Sequence, residues 1–212
     1  MQNPTARTNR LTHARNYIRP VLFIICLLPL AQWIWWGVHD QLGANPVEFL
    51  LHQSGGWTLR FLLIVLAITP LGKLSGWRYP VRLRRMLGLF SFFYAVLHFS
   101  IYAVLDLGLD WSHVGEDIVK RPYITVGFTA LLLLIPLAVT SNRRMMRKLG
   151  SKWKTLHRLV YVIGIAGVIH FLWLVKKDIR EPMIYAAILA VLLLLRVEWV
   201  RRLVAFRPLR SS

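Results

Sequence analysis

Chemistry in this chain begins with its histidines. Of seven, His13, His39, His52 and His113 fall in polar tails or connecting stretches, His98 and His170 lie deep inside long apolar runs, and His157 stands at the edge of one. An ionisable side chain inside a bilayer is costly, so those at mid-run are the first functional candidates. A single buried imidazole is often an interhelical hydrogen-bonding residue. Two at one depth on different helices suit more: each can give one nitrogen to the iron of a b-type haem, whose flat macrocycle fills the gap between helices. A histidine-lined path for metal ions or protons, without porphyrin, is the other chemistry the same residues allow. The lone cysteine, Cys26, excludes an intramolecular disulfide framework, a cysteine-rich zinc site, a four-cysteine iron–sulfur cluster and C-x-x-C-H haem attachment. No Walker loop, G-x-G-x-x-G or H-E-x-x-H motif is present, so any reductant has to come from another molecule.

The elements that must position these residues are membrane helices. The 212 residues are 56% hydrophobic with a formal charge of +18, and their apolar residues come in blocks close to the length that crosses a bilayer. Six spans are expected, at 21–38, 57–72, 86–105, 123–140, 156–175 and 182–200, in an all-α polytopic bundle forming one domain over 1–212. Span three starts beyond Arg85 and span five beyond Lys154, and the two run in the same direction. At about 1.5 Å per residue, His98 is about 20 Å and His170 about 24 Å along, so the two reach nearly one level, while His157 is only about 5 Å in.

Side chains able to pack on a flat ring lie close by: Phe90, Phe92, Phe93, Tyr94 and Phe99 on span three, Tyr161 and Phe171 on span five, with Gly164 and Gly167 allowing close approach to the backbone. His157 and His170 are separated by about 20 Å of rise, which would suit two stacked haems, yet an ideal helix turns them about 140° apart. No other span offers a histidine at the level of His157, where span three has Arg84 and Arg85. A second haem is left open, as is a plain interfacial role for His157. Arg60 and Arg158 are candidates to pair haem propionates or to snorkel toward headgroups. Arg196 and Glu198, two apart, are not helix neighbours.

Loop charge sets the orientation. The N-terminal tail (Arg7, Arg10, Arg15, Arg19), the second loop (Lys73, Arg78, Arg82, Arg84, Arg85), the fourth loop (Arg143, Arg144, Arg147, Lys148, Lys152, Lys154) and the C-terminal tail (Arg201, Arg202, Arg207, Arg210) carry no acid. The alternate loops hold Asp40, Glu48, Asp106, Asp110, Glu116, Asp117, Asp178 and Glu181. The positive-inside rule places both termini, 1–20 and 201–212, in the cytoplasm, which makes the basic excess a topology and lipid signal rather than a nucleic-acid site. Trp33, Trp35, Trp36, Trp57, Trp77, Trp153, Trp173 and Trp199 are read as span-end residues at headgroup level. The first apolar block is read as a retained helix rather than a signal peptide, because it is long and lacks a small-residue cleavage pattern. No internal repeat and no soluble domain are apparent.

Three stretches carry a family resemblance: RRMLGLFSFFYAVLHFSIY at 84–102, KLGSKWKTLHRLVYVIGIAGVIHFLWLVK at 148–176 and GGWTLRFLLIVLAITPL at 55–71. They resemble the membrane haem subunits of bacterial periplasmic methionine-sulfoxide reductase systems, within the wider group of ferric-reductase-like transmembrane haem domains. The resemblance implies haem b with His98, His157 and His170 in the positions of ligand histidines. It also implies an FMN, an inner-membrane location, a quinol or cytoplasmic flavin reductase as electron donor, and a periplasmic molybdopterin enzyme that reduces oxidised methionine as acceptor. The chain has one histidine on span three where the related oxidases have two, and no appended flavin and NADPH domain. A free-standing ferric or cupric reductase of the same fold is the alternative within the group.

Overall fold

The computed structural model describes residues 4–76, 80–175 and 178–205, all of whose regular elements are helical. The chain gathers into two compact units, Met1–Leu50 and Leu51–Ser212. In the first, α1 (Pro4–Val38) begins well inside the expected cytoplasmic tail and runs through Pro20 and Pro29. It ends in a turn where Asp40 and Gly43 take positive φ, 56° and 86°. Asn45 then opens α2 (Pro46–Leu74): its carbonyl oxygen accepts the Glu48 N–H at 3.2 Å and its amide donates to the Glu48 carboxylate at 2.9 Å, a reciprocal cap just before Pro46 at the first helical position.

From Leu51 onward the second unit holds most of α2, then α3 (Arg84–Ile101), continued by a π turn at Tyr102–Asp106, α4 (Trp111–Lys120), α5 (Pro122–Val139), α6 (Arg143–Leu149), α7 (Ser151–Leu156), α8 (Leu159–Leu174) and α9 (Arg180–Ala205). Its core is built almost wholly of aliphatic side chains, among them Leu62 and Leu66 of α2, Leu134 of α5, Ile163 of α8 and Leu189 of α9. The opposite faces are apolar too, with Ile64, Val96, Ile135, Val162 and Ile188 exposed, as expected where the solvent is lipid. Five helical stretches are long and apolar enough to cross a membrane: Tyr17–Val38, Pro46–Leu74, Arg84–Asp106, Pro122–Val139 and Ser151–Leu174. This is a membrane helical bundle. The sixth expected span coincides with α9, outside those five; the side chains of Glu198 and Trp199 and the tail from 206 lie outside the described residues, as does Trp77.

Three local features depart from the expected pattern. Span five is not one ideal helix: between α7 and α8 the chain tightens into three-residue turns, with Val160 N–H donating to His157 O at 3.4 Å and Tyr161 N–H to Arg158 O at 3.0 Å. The angle that an ideal helix would set between His157 and His170 therefore does not apply, since 3₁₀-type turns advance differently around the axis. Second, Trp57 is no span-end residue, because α2 starts eleven positions earlier; it joins Phe61 and Tyr94 in an aromatic cluster. Third, the loop after span three contains α4, capped by Asp110, whose carboxylate accepts Ser112 N–H at 3.0 Å and His113 N–H at 3.2 Å. The Ser112 hydroxyl and the His113 imidazole, together with these backbone N–H groups, hold the Asp110 carboxyl well below the usual carboxylate range, and the carboxylate in turn raises the His113 imidazole, whose Nδ1 lies 2.7 Å from it.

Candidate functional site

α3 carries His98 and α8 carries His170, and the fold brings their rings face to edge, centroids 6.2 Å apart and planes 80° apart. Each imidazole hangs by one nitrogen from the helix beside it. Nδ1 of His98 lies 3.1 Å from the carbonyl of Leu51 and 3.1 Å from Oγ of Ser54, both on α2; Ser54 itself donates to Leu51 O at 3.2 Å. Nδ1 of His170 lies 2.7 Å from the carbonyl of Tyr123 at the start of α5. A carbonyl can only accept, so the proton sits on Nδ1 in both rings and each Nε2 keeps its lone pair. Among the described residues neither Nε2 has a hydrogen-bond partner.

The two rings are close enough to share one metal ion. An imidazole nitrogen bound at about 2.0 Å puts the ring centre about 3 Å from the metal, so two rings on opposite sides of one ion stand about 6 Å apart. A backbone carbonyl holding the other nitrogen is the usual support of a histidine ligand. Among the described residues no group of three His, Cys, Asp or Glu is placed to hold a metal. Two imidazoles alone are too few for a bare ion, and suit a metal that brings its own equatorial nitrogens, as haem iron does. Both rings also lie against glycine. A Cβ added at Gly127 would meet His170 Nδ1 at 2.7 Å and Cε1 at 2.8 Å, and one at Gly55 would meet His98 Cε1 at 3.2 Å.

The arrangement exposes an internal repeat that sequence reading alone passes over. Tyr123, Gly127 and His170 follow Leu51, Gly55 and His98 at one constant interval, and Val96-Leu97-His98-Phe99 recurs as Val168-Ile169-His170-Phe171. In both halves the acceptor carbonyl and its histidine are 47 residues apart. The recurrent His-Phe pair and the matching glycine were the signal available in the sequence.

His157 stands apart from this pair. Its Nδ1 donates to Trp153 O at 3.2 Å, its ring stacks on the Trp153 indole with centroids 3.9 Å apart, and its Nε2 is 3.4 Å from Ser141 Oγ. At the same end of the bundle, Arg84 donates to Thr69 Oγ1 at 3.3 Å, and Arg196 donates to the Tyr161 hydroxyl and to Leu66 O at 2.9 Å while its Nε is buried without a partner. Arg60 is paired with Glu181 at 3.5 Å and lies over the Trp57 ring; Arg158 is exposed at the turn before α8.

The residues expected to line a ring divide. Phe99 packs on Phe128, Phe90 and Tyr94 are buried against Phe61, Tyr161 is held by Arg196, and Phe171 packs on Tyr185. Gly164 and Gly167 receive Leu189 and Leu59, so they serve helix packing.

Residues 54–168 match the family described as "Ferric reductase like transmembrane component". The class of protein that fold and site define is thus a ferric-reductase-like membrane bundle. Relatives named "Protein-methionine-sulfoxide reductase heme-binding subunit MsrQ" include those of Herminiimonas arsenicoxydans, 52% identical with 86% of this chain and 85% of the relative covered, and Bordetella pertussis, 52% identical with 87% and 91% covered. The protein of that name from Xanthomonas euvesicatoria pv. vesicatoria is 56% identical, with 82% and 80% covered. The chain belongs to the MsrQ family. No solved structure matches it.

Proposed function

We propose that this protein is a b-type cytochrome of the bacterial inner membrane. It carries electrons from a cytoplasmic flavin reductase or from quinol to a periplasmic molybdopterin methionine-sulfoxide reductase, and so serves the repair of oxidised proteins. The observation that carries the reading is the His98–His170 pair, with Nδ1 of each on a carbonyl and a ring separation of 6.2 Å. The name of its relatives, heme-binding subunits of a methionine-sulfoxide reductase system, supports the cofactor and the partner. Haem, when bound, supplies an iron that takes up and releases one electron.

The chain's own part is to hold and shield. Leu51 and Tyr123 fix both tautomers and make the imidazoles better donors, and the aliphatic core keeps water from the ring. Arg60, about 8 Å along α2 from Gly55 and now paired with Glu181, would be the propionate partner at this level; Arg158, about 18 Å along from His170, would serve a group held near His157. His157 is the ligand to a second haem if one is present. FMN belongs to the proposal on the family resemblance. Six spans with both termini cytoplasmic put the His98–His170 pair toward the periplasmic side, the side on which the acceptor docks.

The test is a reduced-minus-oxidised absorption spectrum of the purified protein, with haem iron and acid-released flavin counted per polypeptide. Sharp Soret and α bands are expected, and His98→Ala and His170→Ala each remove the low-spin signal. A colourless wild-type preparation, or spectra unchanged by both substitutions, overturns the assignment.

A further inference from the structure

The way each imidazole reaches its carbonyl assigns a role to two residues outside the ligand set. In an α-helix the carbonyl of residue i already accepts the N–H of residue i+4, so a second donor has to approach the remaining lone pair from the side. The Cα–Cβ bond of residue i+4 tilts back toward the helix N-terminus, over the preceding turn and toward that carbonyl. A side chain there stands where the incoming ring must lie. Residue i+4 is Gly55 for Leu51 and Gly127 for Tyr123, and these are the glycines against which the two imidazoles rest.

We propose that Gly55 and Gly127 are positioning residues for the two ligand imidazoles, one in each half of the internal repeat, whose missing Cβ lets each ring hydrogen-bond the carbonyl one turn earlier. They are not equal. At Gly127 an added Cβ would be 2.7, 2.8 and 3.1 Å from three atoms of His170, a separation that forces the ring away from Tyr123. At Gly55 the nearest distances are 3.2 and 3.3 Å, within the reach of a small ring shift. Val126, not serine, stands at the position of the second half that corresponds to Ser54, so His170 has no side-chain hydroxyl of that kind to hold it once its carbonyl is lost.

The inference rests on the haem reading for its function and on the carbonyl–glycine geometry for its structure, and the test separates the two. Gly127→Ala, Gly55→Ala and the control Gly88→Ala, whose Cβ would meet nothing within 4 Å, are compared in detergent by haem per polypeptide, low-spin electron paramagnetic resonance and thermal unfolding. Gly127→Ala is expected to lower haem occupancy at least about tenfold; Gly55→Ala keeps it within about twofold and shifts the resonance; Gly88→Ala matches wild type. Each substitution is repeated in a His170→Ala background. There the clash is gone, and Gly127→Ala is expected to cost nothing in unfolding temperature, against a fall of about 5 °C or more with His170 present.

If Gly127→Ala alone fails to accumulate, recovery by the added His170→Ala supports the proposal and failure to recover overturns it. Behaviour of Gly127→Ala indistinguishable from Gly88→Ala, or an equal loss with and without His170, overturns it as well. Should wild type carry no haem, the proposed function falls while the unfolding comparison still decides the role of the glycines.

Discussion

The two ends of the bundle handle their polar residues differently. At the end holding His98 and His170, the halves α2–α3 and α5–α8 carry one device twice, carbonyl, glycine and histidine, and the two imidazoles meet. At the other end the same shift along the chain takes Thr69 to Ser141 but Arg85 to His157, so the hydroxyl persists while the cation and the imidazole differ. Thr69 accepts Arg84, Ser141 lies near His157, and Arg196 enters from α9. In the proposed haem site one iron would take an imidazole from each half; at the other end one half offers an imidazole and the other a guanidinium. Among the described residues, two imidazoles meet at the first end only.

Removing His157 tests this contrast most strongly. His157→Ala is expected to leave the low-spin signal and haem content of the His98–His170 site intact, where His170→Ala abolishes them; loss of half the haem iron on His157→Ala would give the second end a haem of its own. A smaller effect is expected from Arg196→Ala. It strips the Tyr161 hydroxyl and the Leu66 carbonyl of a partner and should cost about 1–3 kcal/mol in chemical unfolding, without moving the haem spectrum. A changed spectrum would show that Arg196 acts on the haem. Smallest is Ser54→Val, which makes the halves alike by copying Val126. It removes one hydrogen bond to His98 and should shift the reduction potential by no more than about 40 mV in a redox titration. A larger shift would mean that the hydroxyl, not the Leu51 carbonyl, governs His98.

Much of the fold was legible because a bilayer leaves so few options. A run of about 20 apolar residues must be helical to satisfy its backbone, and the five membrane-length helices coincide with five of the expected spans. The matched depth of His98 and His170 followed from helix rise alone. What was not legible depended on side-chain direction. Phe90 and Tyr94 of span three pack in a cluster with Phe61, and Gly164 packs against Leu189 and Leu66 rather than a ring, choices made by neighbouring helices that no periodicity reveals. The helix α4 is short and polar, so hydrophobic length does not reveal it; its marks in the sequence are Asp110 as cap and Val114 with Ile118 four apart.

By itself the sequence determined that this chain is a membrane bundle and that two histidines stand at one level within it, because hydrophobic length and helix rise act along the chain and need no partner. Only the tertiary structure decided which nitrogen of each ring is free, which carbonyl holds the other, and why a glycine stands beside it. Those are contacts between helices 47 residues apart in sequence, set by how side chains pack once the helices meet.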